Sequence, residues 1–266
     1  MRFSIFLIFV VISFGCGTSK HKSDRLEEVR QAYEAAKVDF DTPGWPSTED
    51  NDGALWAGLA ARAGLNVQVS AAVQPDGRVT RRPFKDSLVP SESASSISND
   101  MILGVISGLH SQGDLRNLQA IFQYGKINLW VMGYPGYMVG RVILKPNNIA
   151  LLAKTIKQLG GPEYPERLIP MVYVPLQDSD YPTHLQLVSI ILAKDVGEAN
   201  ILNEQIIQET CNYNTQDALA MAVCGRYSEA ADLLLGDYEY PAYVRGSQAY
   251  NRVHWLLAAK VVLEGH

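Results

Sequence analysis

The sequence predicts a mainly α-helical fold, with helical hairpins around a shared core and two or three small β-hairpins. Three observations lead there. About ten segments carry apolar residues at spacings of three and four, separated by short polar loops. Residues 66–82 switch to a period of two before a Pro-Asp-Gly turn, and a second Pro-Gly turn follows at 134–137. The chain of 266 residues is 47% apolar and 19% charged, which suits a packed core and excludes a disordered chain.

The elements follow in order. Asp24 to Val38 place Leu26, Val29, Tyr33 and Ala36 on one stripe of a helix. Two prolines and a glycine then break the chain, and Asp52 stands as N-cap of a helix through GALWAGLAARAG that ends at Gly64. In 66–82, Val67, Val69, Ala71 and Val73 alternate with Gln68, Ser70, Ala72 and Gln74 before Pro75-Asp76-Gly77, which predicts a hairpin. A Ser-rich loop leads to a helix from Asp100 to His110 that is apolar on nearly every side and so buried. Gly104 and Gly108, four apart, let another backbone approach it closely. Asp114 to Tyr124 form a further helix. A second hairpin joins 126–133 to 140–145 through Tyr134-Pro135-Gly136-Tyr137. Helices are then expected over 147–159, 183–194, 197–210, 215–224, 227–235 and 249–263. ALAMAVCGRYSEAADLLL resembles one tetratricopeptide-type helix pair. A repeat array needs about three copies, and only one is visible.

The N-terminus carries a different signal. Arg2 precedes an apolar run from Phe3 to Phe14, about 18 Å long as a helix, too short to span a hydrocarbon core of about 30 Å. Gly15-Cys16-Gly17 closes it, followed by Thr18-Ser19-Lys20-His21-Lys22-Ser23. This arrangement resembles a bacterial lipoprotein precursor, although Ser13 and Phe14 depart from the usual Leu-containing pattern before the Cys. Ordinary cleavage near the same point is the alternative. The resemblance implies a signal peptide over 1–15, a tether over 16–23 that begins with lipidated Cys16, and a single helical domain over 24–266. It also implies an envelope location, with Gly17 rather than Asp after the Cys favouring the outer membrane over the inner. The pairing of helices resembles, in texture alone, the partial α/α toroid of carbohydrate-active proteins.

Chemistry is less legible. The chain has no G-x-S-x-G, Walker or HExxH motif and no Cys/His metal spacing, so neither a metal nor a cofactor is expected. The net charge of −5 argues against nucleic acid. Cys211 and Cys224 read as the ends of successive antiparallel helices, too far apart for a disulfide, and hence as buried thiols. Asp52 and Asp100, at helix starts after polar loops, are the candidate catalytic pair. An inverting glycosidase needs two carboxyls roughly 6.5–9.5 Å apart. The plainer reading makes both N-caps. Arg78, Arg81, Arg82 and Lys85 form a basic run, either a solvated strand face or a subsite for an anionic sugar or lipid phosphate. Tyr134 and Tyr137, on their turn, are candidates to stack on a sugar. The expected cleft therefore joins Asp52, Asp100, Arg82, Tyr134 and Tyr137. Two functions remain open: a lipid-anchored binding or structural module with a glycan or protein partner, and a glycoside hydrolase or lyase using the two aspartates.

Overall fold

In the computed structural model, the described residues are 17–38, 52–81, 97–133, 142–164, 180–198, 204–213, 216–241, 244 and 248–265. Among them the fold is mainly α-helical. The helices are α1 (Gly17–Val38), α2 (Gly53–Arg62), α3 (Asn99–Ser111), α4 (Leu115–Ile127), α5 (Pro146–Gln158), α6 (Asp180–Asp195), α7 (Glu204–Tyr213), α8 (Ala218–Val223), α9 (Tyr227–Leu235) and α10 (Gln248–Glu264). Strands β1 (Val131–Met132) and β2 (Val142–Ile143) form a two-stranded antiparallel sheet, with Val131 opposite Ile143.

Two helices organise the core. α3 is buried from Asp100 through Leu109 and packs against α2, α4, α5 and α6. α10 packs against α1, α2, α8 and α9, so it joins the two ends of the chain. The close approach expected at Gly104 and Gly108 is present, and the neighbour is α2. A Cβ added at Gly104 would stand 2.6 Å from the Leu55 carbonyl oxygen, and one at Gly108 would stand 2.7 Å from Gly58 Cα. Leu55 lies against Gly104, while Gly58 meets both Gly104 and Gly108. Gln112, just past α3, reaches the Val67 carbonyl beyond the end of α2 (2.5 Å). The two helices therefore run side by side in the same direction, with both N-termini at one end.

Several local expectations change. Within the described residues α1 covers Gly17–Val38, so residues 17–23, expected as a tether, are helical. The first predicted hairpin shrinks to a 3₁₀ turn over Val69–Ala72 and a single bridge, Val73 opposite Val79. Val67 and Val69 follow the alternation into the core, after which the turn, packed on α2 and α3, buries Ala72 in place of Ala71. The helix expected over 197–210 corresponds to α7 (Glu204–Tyr213), with Gly197 and Glu198 outside it. Gly197, at φ +70, closes the end of α6.

The largest correction concerns the cysteines, which form a disulfide between Cys211 and Cys224 with Cα atoms 5.7 Å apart. The assumption of two helices lying antiparallel along their lengths fails. α8 has six residues, a rise of about 9 Å, and it packs mainly on α9 and α10. Its C-cap, Cys224, returns to the last turn of α7.

Candidate functional site

Asp52 and Asp100 both lie at the end where α2 and α3 start, but their environments differ. Asp52 occupies the N-cap position of α2 and makes no capping hydrogen bond with its side chain. Its carboxylate faces the Arg81 guanidinium at 3.7 Å, while the Arg81 carbonyl accepts from the Ala54 N–H (3.1 Å). Arg81 thus supports the start of α2 in place of the expected cap. Asp100 is not the N-cap of α3, since Ser98 holds that position. It sits in the first helical turn, where a carboxylate meets the positive end of the helix dipole. It is 2% exposed, and its Oδ1 has no hydrogen-bond partner.

Asn99, beside it, ties the second hairpin to this end. Its Oδ1 accepts from the Lys145 N–H and from Asn148 Nδ2, both at 3.0 Å, and its Nδ2 donates to the Ile143 carbonyl (3.2 Å). The structure thus gathers Asp52, Asp100 and the β2–α5 junction. Arg82, Tyr134, Tyr137, Lys85 and Cys16 lie outside the described residues. Arg78 departs from the solvated-face reading, because it is buried with 6% exposure beside Asp76.

A second locus, not anticipated, lies at the opposite ends of α2 and α10. Arg62 bridges Asp195 and Glu264. Its Nε and Nη2 donate to Asp195 (2.6 and 2.8 Å), and its Nη1 and Nη2 donate to Glu264 (3.1 and 2.6 Å). Burial opposes the guanidinium charge, but the hydrogen bonds to the two carboxylates outweigh it and hold the proton more firmly than usual. Beside them a cleft of about 190 Å³ has Ile191, Val223 and Val261 as its apolar wall, with Lys194 and Tyr227 at its sides. Lys194 donates to the Val223 carbonyl, and burial lowers its pKa below that of an ordinary ammonium. Four of the five Arg62 N–H groups are already committed to carboxylates, so the triad acts as a structural clamp. The cleft suits a small ligand with an apolar body and one polar group facing Lys194.

A third cluster is sealed. Asp217 caps α8 by accepting from the Leu219 and Ala220 N–H groups (2.8 and 3.3 Å), and it takes the Tyr238 hydroxyl at 3.3 Å. His254 Nε2 lies 3.3 Å from the same carboxylate. Burial, with the Asp217 charge beside it, pushes the Tyr238 phenol above its usual range. His254 is 0% exposed, so this network joins α8 to α10 without access for a substrate. Asp217 before ALAMAV was legible as a cap; its link to His254, on a helix 37 residues onward, was not.

Among the described residues no three His, Cys, Asp or Glu gather as a metal site requires, and no helix is long and apolar enough to cross a membrane. No protein family, no curated protein and no solved structure matches the chain.

Proposed function

We propose that this chain is a lipid-anchored protein of the bacterial envelope, held through Cys16, whose helical body is a binding or structural module for an envelope glycan or protein. One observation carries the reading: the use of its three cysteines. Cys16 ends an export-type segment, and Cys211 and Cys224 are joined. Disulfides persist in exported proteins and are rare in the cytosol, so the bond supports export independently of the N-terminus. Gly17 favours the outer membrane. The module reading draws on the cleft beside Lys194, whose acids Asp195 and Glu264 are paired with Arg62. The test replaces Cys16 by Ser in the producing cell. Loss of labelling by a fatty-acid probe, with release from membranes, is expected; unchanged labelling overturns the anchor.

A second reading has its own observation. Asp52 and Asp100 share one end of a parallel helix pair, and Asp100 keeps a buried, unpartnered oxygen. A glycoside hydrolase or lyase would use such carboxylates as acid and base. Asp52→Asn and Asp100→Asn should abolish release of sugar from envelope glycans under this reading while changing the melting temperature little. Full retention of activity by both would leave the aspartates as helix-start groups alone.

A further inference from the structure

The end of α4 and the small sheet present exposed apolar side chains that no described residue covers. Ile127, Leu129 and Ile143 are 79%, 82% and 70% exposed. Ile143 pairs with Val131, and the Leu144 N–H bonds to the Trp130 carbonyl (2.9 Å), so β2 lies beside the turn that carries Ile127 and Leu129. The backbone is bent to make this patch. Leu129 and Trp130 both adopt left-handed conformations, at φ 54 and 62. For side chains with a Cβ this conformation is strained and persists only where the surroundings impose it. The turn swings the Trp130 ring back onto Gly125 and edge-on to Phe122 (5.1 Å), and leaves Leu129 pointing away from the core. Burial of the Trp therefore holds the Leu outward.

Charge says what faces it. From Leu115 to Pro162 the chain carries Arg116, Lys126, Arg141, Lys145, Lys154 and Lys157 and not one Asp or Glu, whereas the whole chain holds 28 acids against 23 bases. Lys154 and Lys157 pair with Glu198 and Glu163. Arg116, Lys126 and Lys145 have no ion-pair partner among the described residues, and Arg116 and Ile127 lie on one exposed stripe of α4. An apolar tip flanked by uncompensated cations, on an otherwise acidic protein, matches an anionic bilayer surface. There apolar side chains enter the acyl boundary, and each nearby Lys or Arg is attracted by the anionic headgroups.

We propose that Ile127, Leu129 and Ile143, with Lys126 and Lys145, dock on the surface of an anionic lipid bilayer as a peripheral contact separate from any anchor at Cys16. The proposal deepens the envelope reading, yet it rests on the patch itself. The test places an environment-sensitive nitrobenzoxadiazole label at Leu129→Cys, and at Glu163→Cys as control, in the full chain with Cys16→Ser so that the introduced thiol alone reacts. Labelled protein is mixed with phosphatidylcholine vesicles with or without 30% phosphatidylglycerol. The label at 129 should brighten at least twofold and shift to the blue on phosphatidylglycerol vesicles, be quenched by doxyl lipids, and lose most of this response in high salt or in Lys126→Glu/Lys145→Glu. The label at 163 should not respond. A label at 129 that stays water-exposed on anionic vesicles overturns the proposal, as does one that shifts only with rising protein concentration, which marks a protein interface. Flotation of the unlabelled chain with native Cys16 and with Cys16→Ser reads the anchor separately, so either idea can fail alone.

Discussion

Removing the Cys211–Cys224 bond should cost stability by an amount that the chain separation sets. The cysteines are 13 residues apart. Loop-closure entropy for a ring of this size gives about 3 kcal/mol of stabilisation, by restricting the unfolded chain. In a domain of this length each kcal/mol corresponds to ~2–4 °C, so the melting temperature should fall by ~6–12 °C. The measurement is thermal unfolding by circular dichroism, with and without a phosphine reductant, for the native chain and for Cys211→Ser/Cys224→Ser. The native chain should melt lower when reduced and then match the double variant, which the reductant leaves unchanged. Amide exchange should rise most at Leu219 and Ala220, because the closed loop contains Asp217, whose carboxylate caps them. Two reactive thiols in the unreduced, unfolded chain would refute the bond. An intact bond whose reduction left the melting temperature unchanged would refute the entropic reasoning.

Two further predictions concern packing and pH. Gly108→Ala sets a methyl 2.7 Å from Gly58 Cα, where backbone and not a flexible side chain must move. It should destabilise by about 1–3 kcal/mol or more in a denaturant titration, and a neutral result would show that α2 and α3 are not in contact there. Burial, aided by the charges of Glu34 and Glu264, pushes Tyr33 up to about 12 from 10.0, while its hydroxyl donates to the Ala63 carbonyl at 2.6 Å. The neutral phenol is the form that the fold favours, so its contribution is complete below about pH 10 and is lost as pH rises through 12. Tyr33→Phe should lose about 1 kcal/mol at neutral pH from the missing hydrogen bond. It should also show a shallower decline between pH 10 and 12 than the native chain; parallel declines would contradict this role.

What the sequence determined by itself was local. Leu26, Val29, Tyr33 and Ala36 mark the buried stripe of α1 because residues three and four apart share a helix face. The apolar run around Gly104 and Gly108 announced a helix buried on all sides with a close neighbour. Period two was a weaker guide. At Val67–Val73 it holds only as far as Val69, because the 3₁₀ turn changes the phase and buries Ala72 in place of Ala71. β1 and β2 flank the Pro/Gly turn and are shorter than expected, with residues 126–127 ending α4. The tertiary structure alone decided the rest. Asp52 and Asp100 looked alike as helix starts, yet Asp52 keeps the N-cap position and faces Arg81 in partial exposure, while Ser98 holds the N-cap of α3 and leaves Asp100 sealed in its first turn. The clamp of Arg62, Asp195 and Glu264 joins residues as many as 202 positions apart, beyond any spacing rule. The disulfide was decided the same way. Whether two thiols meet depends on how helices turn between them, and that path is set by burial summed over the whole core rather than by the residues along it.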